Sequence, residues 1–187
     1  MSDNYIIRPM QDADLGQVAK LEARVYGPGR FARTAYRLRE DGNQRSELCM
    51  TAWRNDELAG SVRLTRVQIG ATCKAALLGP LNVAPEHTGD NLGIRLIEAA
   101  ADAARAIKLD ALILIGDAPY YGKAGFKPLP FGRMTMPGPV DPARLLVLEL
   151  ASDVAQKCHG MITATKSVTA PNSTLKKNPH KQSEPTQ

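Results

Sequence analysis

Apolar and polar residues alternate along the first half of the chain in a way that predicts short strands around helices. The segment YIIRPM predicts a strand closed by Pro9, and apolar side chains at helical spacing after it predict a helix capped by Asp12. A second short helix is predicted over RTAYRLRED. The segments SELCMTAWRND and ELAGSVRLTRVQIG then predict two strands joined at Asn55 and Asp56, which is a β-hairpin.

The second strand of this hairpin alternates less regularly. Its apolar residues are separated by Arg and Thr, as expected for an antiparallel strand with one half-buried face, but their spacing requires one bulge-like slip. These apolar positions are Val62, Leu64, Val67 and Ile69. We therefore expect an antiparallel sheet in this part of the chain.

The second half of the chain predicts a strand, a glycine-containing turn, a long helix and another strand. KAALLGPLNVAP is a nearly continuous apolar strand, GDNLGIRLIEAAADAARAIKLD has one apolar helical face, and ALILIGD is apolar enough for burial on both faces. Parallel strands joined by a helix form a right-handed crossover, in which the helix N-terminus faces the strand ends. Unpaired N–H groups and the positive end of the helix dipole suit such a terminus to binding an anion.

The turn before this helix combines a phosphate-binding pattern with an acid, Asp90. Gly89 and Gly93 let the backbone approach an anion closely, and Asn91 is among the few non-glycine residues that tolerate a left-handed backbone. If backbone N–H groups bind the phosphate, Asp90 can point into solvent, where its repulsion is screened. The alternative is that Asp90 caps the helix and the two glycines only shape a connection.

Composition favours one globular domain followed by a tail. The chain has 187 residues, of which 43% are hydrophobic, and this suits a single core. Residues 152–187 contain five lysines and two acids, so they carry +3 of the net charge of +5 and leave a nearly neutral domain over residues 1–151. This basic low-complexity tail is rich in Ser, Thr, Pro and Asn, so we expect disorder from about residue 160. Its lysines lack interleaved aromatic residues, which disfavours nucleic-acid binding.

Cysteine usage and hydropathy limit the protein class further. Cys49, Cys73 and Cys158 are far apart and form no C-x-x-C pair, so the sequence suggests ordinary thiols, with neither a disulfide framework nor a metal site. No apolar run approaches the roughly 18 residues that would cross a membrane. The N-terminus lacks the charged-then-apolar order of a secretory signal. We therefore expect a cytoplasmic protein that does not bind a membrane.

Two segments that occur in the right order, NVAPEHTGDNLGIRLI and LILIGDAPYYGKAGFKPL, resemble the core of the GNAT-type N-acetyltransferase superfamily. The order GPGRFARTAYRLRE, GSVRLTRVQIG, LLGPLNVAPEH and GDAPYYGKAGF is similar to its bacterial branch of predicted N-acetyltransferases, and the resemblance covers about residues 5–150. It implies an α/β (α+β) fold, in which a mixed, mostly antiparallel central sheet has splayed parallel strands and flanking helices. It also implies acetyl-coenzyme A (acetyl-CoA) as co-substrate, bound between the splayed strands.

The resemblance also assigns coenzyme-binding roles to particular positions. The family's Q/R-x-x-G-x-G/A loop, whose N–H groups bind the pyrophosphate, matches residues 88–93, and residues 81–83 match the strand segment that bonds the pantetheine arm. The coenzyme-binding residues implied in this way are Leu81, Asn82, Val83, Thr88, Gly89, Asp90, Asn91, Leu92, Gly93, Ile94 and Tyr121.

Three positions of this loop depart from the family pattern. Thr88 stands where Gln or Arg is usual, Asn91 where Gly is usual, and Asp90 where the residue is often basic. A negative charge beside a pyrophosphate would weaken binding by roughly 1 kcal/mol if it is exposed. We therefore expect coenzyme binding that is weaker than the family pattern alone implies.

Two residues carry the catalytic roles that the resemblance implies. Tyr121 matches the tyrosine of Y-x-x-x-G-F, which protonates the departing thiolate, and a phenol within hydrogen-bond reach can do so. Its structural alternative is packing beside the coenzyme, while Tyr120 is expected to pack in the core. Asn82 lies in the segment whose backbone N–H stabilises negative charge on the thioester oxygen. The alternative for its side chain is a polar residue that ends the strand before Pro85.

The general base and the acceptor stay open. Glu86, His87 and Asp117 are candidate bases by type, none is assigned, and family members also deprotonate the amine through water. Asp117 can instead orient the cleft or cap the following helix. An early arginine cluster would favour an anionic acceptor if it walls the acceptor site, although an exposed helix balanced by acids is the stronger interpretation. The cluster comprises Arg30, Arg33, Arg37 and Arg39.

The sequence thus predicts an acetyl-CoA-dependent N-acetyltransferase that passes acetyl directly to a primary amine of a small molecule or a protein. The alternative is a degenerate binding or regulatory module of the same fold with weak or no coenzyme A (CoA) binding, which the loop departures favour. A less favoured third class is an adaptor that acts through the basic tail. The oligomeric state is left open, with a homodimer among the alternatives.

Overall fold

The computed structural model describes residues 4–27 and 47–165. Within these ranges the strands are β1 Ile6–Pro9, β2 Met50–Arg54, β3 Glu57–Ile69, β4 Cys73–Val83, β5 Ala111–Ile115, β6 Lys127–Pro128, β7 Met134–Thr135, β8 Leu145–Glu149 and β9 Gly160–Ala164. The α-helices are α1 Leu15–Tyr26, α2 Leu92–Ala106, α3 Ala118–Tyr121 and α4 Val154–Lys157. Short 3₁₀ turns cover Asp12–Asp14, Pro85–His87, Gly122–Ala124 and Pro142–Arg144.

The nine described strands belong to one sheet, in which seven follow the order β1-β2-β3-β4-β5-β8-β6, while β9 pairs with β3 and β7 pairs with β9. Strands β4 and β5 are parallel, and the other neighbours along this order are antiparallel. Helix α2 connects the two parallel strands, as the sequence predicted, and its apolar face packs into the larger core cluster. The expected mixed, mostly antiparallel sheet is confirmed, and β8 lies between β5 and β6.

The β2–β3 hairpin follows the sequence prediction. Its turn residues Asn55 and Asp56 have positive φ angles of 48° and 64°. Such angles are typical of the tight hairpin turns that match the right-handed twist of their strands, and Asn and Asp tolerate them better than other non-glycine residues.

The expected single buried face of β3 is wrong, because this strand is buried on both faces. Val62 and Leu64 belong to the core cluster that contains α2, whereas Val67 and Ile69 belong to a second cluster, which contains residues of β9. The odd spacing between Leu64 and Val67 therefore marks a change of face. The register shift against β4 lies instead between Val62 and Leu64.

The start of α1 depends on Asp14, although the sequence predicted Asp12 as the cap. The Asp14 carboxylate accepts the Gln11 N–H at 2.7 Å and two bonds from the Arg8 guanidinium at 2.8 and 2.9 Å. These bonds hold the pKa of Asp14 below its ordinary value, the Arg8 hydrogen bond being the main cause. A 3₁₀ turn over Asp12–Asp14 precedes the α-helix, and the Asp14 carboxylate belongs to the capping box of that turn, two residues later than the expected cap.

The parallel strands separate part-way along their length. Their last paired residues are Leu77 and Ile113, although β4 continues to Val83. Between Leu78 and Leu81, β4 has one residue more than the facing segment of β3, so it bulges here. This bulge lies just beyond the last β4–β5 pair, and it opens a gap between the two strands.

The C-terminal part of the described chain corrects two expectations. Cys73 and Cys158 form a disulfide with Cα atoms 4.9 Å apart, whereas the sequence suggested ordinary thiols. Strand β9 pairs with β3 and with β7, so the fold extends past residue 160, where disorder was expected. Ile162 on β9 and Val154 on α4 are fully buried. The polar composition of the tail hid these few anchoring residues, because averaging over 36 residues dilutes them.

Several predictions fall on residues outside the described ranges. The short helix over residues 33–41, the arginine cluster and the tail beyond residue 165 all lie there. Among the residues that the structure describes, no helix is long and apolar enough to cross a membrane.

Candidate active site

The gap between β4 and β5 exposes the backbone of alternate β4 residues. Ala84 N–H donates to the Ala59 carbonyl at 2.9 Å, and the same register pairs Asn82 with Ser61 and Leu81 with Val62. Pairs in an antiparallel ladder alternate between hydrogen-bonded and non-hydrogen-bonded. Asn82 therefore directs its N–H and carbonyl at β3. The corresponding groups of Leu81 and Val83 point the other way, into the gap.

Asn82 contributes its side chain from a fully buried position. Its Nδ2 donates to Ser61 Oγ at 3.1 Å, and its Oδ1 has no hydrogen-bond partner among the described residues. Leu81 and Val83 pack against the α2 core cluster, so Asn82 faces the opposite side of the sheet. Because its backbone N–H is directed at β3, the N–H groups available in the gap are those of its two neighbours.

The turn before α2 has the backbone that the sequence predicted. Asn91 is left-handed, with φ 54° and ψ 17°, and α2 begins at Leu92 without a side-chain cap. Gly89 has a φ of +106°, and a Cβ added there would meet no atom within 4 Å. The first N–H groups of α2 therefore lie behind an open glycine turn, an arrangement that can bind an anion.

Asp90 is held by Tyr5 and does not simply point into solvent. The Tyr5 hydroxyl donates to Asp90 Oδ2 at 2.8 Å, and it also lies 3.0 Å from His87 Nδ1. The guanidinium groups of Arg54 and Arg95 each lie 5.5 Å from the centre of the Tyr5 ring. Burial, followed by the bond to Asp90, raises the pKa of Tyr5, which stays a neutral donor at physiological pH.

Tyr120 does not pack in the core as expected, since 39% of the residue is exposed. Its ring reaches over the first turn of α2, where a Cβ added to Gly93 would overlap the Tyr120 hydroxyl. Glycine at position 93 thus makes room for a phenol beside the helix N-terminus. This contact had no signal in the sequence beyond the adjacent tyrosines.

Tyr121 lies at the end of α3, close to the carboxyl end of β5. It packs against the α2 core cluster, with its ring edge-on to Phe126 at a centroid distance of 6.2 Å. Gly116 allows this close packing, because a Cβ there would overlap the ring of Tyr121. Burial is the main cause that raises the pKa of Tyr121 to about 12.

The three candidate bases all have partners. Glu86 accepts two hydrogen bonds from Arg24, at 3.1 and 2.5 Å. Hydrogen bonding from Arg24 is the main cause that lowers the pKa of Glu86. His87 contacts Tyr5 as described above, and Asp117 forms an ion pair with Arg144 at 3.2 Å. Asp117 does not cap α3 through its side chain. A lowered pKa makes Glu86 a weaker base than an ordinary carboxylate.

One tyrosine of this region was missed by sequence reasoning. Tyr26, the last residue of α1, donates its hydroxyl to the Leu81 carbonyl at 2.5 Å. The two residues are 55 positions apart, and no local pattern could have paired them.

Comparison with known proteins identifies the class of this fold and site. The sequence profile of the family described as "Acetyltransferase (GNAT) domain" matches residues 6–129, which is more than half of the chain. The chain therefore belongs to the GNAT acetyltransferase family, and the expected family membership is confirmed.

Individual relatives agree with this assignment. "Uncharacterized N-acetyltransferase YjhQ" of Escherichia coli (strain K12) is 29% identical over 119 residues, a match that covers 62% of this chain and 66% of that protein, slightly less than two thirds of its length. The crystal structure of the GNAT family N-acetyltransferase YhbS from Escherichia coli in complex with CoA has a TM-score of 0.76 at 21% identity, covering 88% of this chain and 92% of that one. The crystal structure of a GNAT family acetyltransferase from Brucella melitensis in complex with acetyl-CoA has a TM-score of 0.56 at 25% identity. The match covers 79% of this chain and 97% of that one.

Proposed function

We propose that the protein is an acetyl-CoA-dependent N-acetyltransferase that transfers acetyl directly to a primary amine of a small molecule or a protein. The observation that carries this proposal is the gap between β4 and β5, in which the N–H and carbonyl groups of Leu81 and Val83 are directed away from β3. The gap lies close to the start of α2, where no side chain caps the helix. An extended amide arm fits beside the strand, and a pyrophosphate fits at the helix N-terminus.

Each part of the site would then bind one part of the co-substrate. Leu81 and Val83 hold the pantetheine arm, while the turn over residues 88–94 directs its N–H groups at the pyrophosphate. Bound acetyl-CoA supplies an activated acetyl thioester. The amine forms a C–N bond to the acetyl carbon as the C–S bond breaks, and the nitrogen gives up one proton to water. A backbone N–H in the gap stabilises negative charge on the acetyl oxygen.

Tyr121 serves in this proposal as a hydrogen-bond donor to the departing sulfur. With a pKa of about 12 it remains protonated at neutral pH. An ordinary thiol is more acidic, with a pKa near 8.5, so complete proton transfer from the phenol would be uphill by about 3.5 pKa units. Stabilisation of the thiolate by a hydrogen bond is therefore the favoured role, and solvent completes the protonation.

A degenerate binding module is the second candidate, because Thr88, Asp90 and Asn91 depart from the family loop. The Tyr5 bond to Asp90 weakens this objection, since it draws the carboxylate toward β1 and two arginines lie beside the same ring. The left-handed Asn91 supplies the backbone angle for which glycine is usual.

Calorimetric titration of the full chain with acetyl-CoA and with desulfo-CoA tests the proposal. We expect micromolar binding of both ligands, because phosphate and amide recognition do not need the thioester. Free CoA release with a panel of primary amines then tests transfer. Binding without release of CoA for any amine would favour the module, and no binding at millimolar ligand would contradict a coenzyme site.

A further inference from the structure

The Leu81 carbonyl, which faces the gap, is already bonded to Tyr26. The Tyr26 hydroxyl oxygen lies 2.5 Å from the Leu81 carbonyl oxygen, at the short end of the range for O–H···O hydrogen bonds. Strand β5 has separated from β4 at this level, so it cannot supply an N–H to Leu81. The phenol therefore takes a position that a neighbouring strand would fill elsewhere in the sheet.

The geometry of α1 fixes Tyr26 at this position. The helix ends at Tyr26, and Gly27 follows with a φ of +63° while its N–H donates to the Ala23 carbonyl at 3.0 Å. Glycine tolerates this positive φ without the steric cost of a side chain, and the helix ends there. After burial, the Tyr26 phenol also contributes to the raised pKa of Tyr121.

We infer that Tyr26 is a residue of the coenzyme site whose hydrogen bond is exchanged on binding. Its hydroxyl donates to the Leu81 carbonyl until an amide N–H of the pantetheine arm replaces it. This inference rests on the proposed function, since the arm is the part of acetyl-CoA that would lie along β4. A secondary amide donates one N–H, as the phenol donates one O–H, so the exchange conserves the number of hydrogen bonds at the carbonyl. In this exchange the ligand displaces an intramolecular bond; the carbonyl oxygen has a second lone pair, and the test below distinguishes exchange from simultaneous binding of both donors.

Tyr26 therefore weakens the binding of ligands that carry the arm and leaves the nucleotide part unaffected. A competing bond of ordinary strength changes affinity by about fivefold. The opposite view, that Tyr26 only fastens the end of α1 to β4, predicts no gain in affinity when the hydroxyl is removed. Only the first view predicts that removal of the hydroxyl tightens the binding of a ligand that carries the arm.

The test is calorimetric titration of the wild-type chain and the Tyr26→Phe variant with two ligands. CoA carries the arm, and 3′-phospho-ADP keeps the nucleotide and the pyrophosphate but lacks the arm. We expect Tyr26→Phe to bind CoA about fivefold more tightly, with unchanged affinity for 3′-phospho-ADP. Unchanged or weaker CoA binding would overturn the inference, and so would an equal gain for both ligands.

Arg24→Ala provides the matched control. Arg24 also fastens the end of α1, through its exposed ion pair with Glu86, and this pair does not involve the Leu81 carbonyl. We expect this variant to bind both ligands like the wild type, and a gain equal to that of Tyr26→Phe would assign the effect to a loosened helix and overturn the inference. A thermal melt of each variant verifies that it is folded. Wild-type protein that binds neither ligand would contradict the proposed function itself. If the wild type binds both ligands and Tyr26→Phe has the same CoA affinity as the wild type, only the role of Tyr26 is overturned.

Discussion

The hydroxyl of Tyr5 donates a hydrogen bond to the carboxylate of Asp90 across 85 positions of the sequence, at 2.8 Å. This bond connects the residue before β1 to the turn before α2. It draws the negative charge of Asp90 toward a phenol ring that Arg54 and Arg95 flank. An acid in a turn proposed to bind phosphate is thus compatible with anion binding, because the fold provides a hydrogen-bond donor for it and places two guanidinium groups beside the ring of that donor.

The first prediction is that Tyr5→Phe weakens CoA binding. Without the phenol the carboxylate keeps its charge but loses its donor, so it is free to turn toward the pyrophosphate. We expect the dissociation constant to rise about fivefold, the equivalent of one hydrogen bond of about 1 kcal/mol. Calorimetric titration with CoA measures this change.

A double-mutant cycle with Asp90→Asn assigns the effect. If Tyr5 acts by holding the charge of Asp90, Tyr5→Phe will have little effect in the Asp90→Asn background. An equal loss of affinity in both backgrounds would show that Tyr5 acts in another way, for example through packing on His87.

Local chemistry made the backbone of this site predictable, and long-range contacts made its side chains unpredictable. Asn91 and the Asn55–Asp56 turn follow from the tolerance of these residues for positive φ. The crossover of β4, α2 and β5 follows from hydrophobic periodicity. The contact of Tyr5 with Asp90 and that of Tyr26 with Leu81 depend on how distant elements pack, which no window of the sequence contains.

The same limit explains the error at the C-terminal segment. The residues that fasten it are few and scattered, and their partners are distant. Cys158 bonds Cys73, and the Arg133 guanidinium donates to the carbonyls of Val154 and Cys158 at 2.5 and 3.2 Å. A composition average therefore predicts disorder where a few specific contacts produce a strand.

The second prediction concerns the close contact of Gly93 with Tyr120. In Gly93→Ala the new Cβ overlaps the Tyr120 hydroxyl, so the ring must move at the first turn of α2. We expect CoA affinity to fall by about tenfold, since an anion-binding helix terminus depends on close approach. Calorimetric titration measures the loss.

Removal of the hydroxyl provides the control for this contact. The ring carbon that carries it lies 3.5 Å from the added Cβ, which is an ordinary contact. Tyr120→Phe should therefore restore CoA affinity in the Gly93→Ala background. A double variant as weak as Gly93→Ala would mean that the loss comes from the backbone of α2 and not from the tyrosine.

The third prediction is that Tyr121→Phe slows turnover and leaves binding nearly unchanged. The ring keeps its packing against Phe126, and only the donor to the departing sulfur is lost. We expect kcat to fall by about 100-fold, the lower end for the loss of one hydrogen-bond donor to developing negative charge, with an unchanged dissociation constant for CoA. Equal turnover in the variant would remove Tyr121 from the mechanism.

The fourth prediction is a loss of stability in alkaline solution that depends on Tyr121. Its pKa of about 12 in the folded protein exceeds the ordinary phenol value near 10, so the folded state binds this proton more tightly. The corresponding stability is complete below pH 10 and is lost as the pH rises from 10 to 12, by about 2–3 kcal/mol. Urea unfolding of the wild type and of Tyr121→Phe at pH 8, 10 and 11 measures it. Parallel losses in the two proteins would contradict the raised pKa.

The fifth prediction concerns the Cys73–Cys158 disulfide, which joins the start of β4 to the residue after α4 and spans 85 positions. A cross-link of this span restricts the unfolded chain, so reduction should lower the free energy of unfolding by about 4 kcal/mol. Thiol titration of the unfolded, unreduced chain should find only Cys49, which lies outside the disulfide and is buried in the fold. Cys49→Ala should keep the sensitivity of stability to reductant, and the double variant Cys73→Ser/Cys158→Ser should lack it. Three reactive thiols in the unreduced chain would contradict the bond, and the C-terminal segment would then depend on Arg133 and on the pairing of β9 with β3.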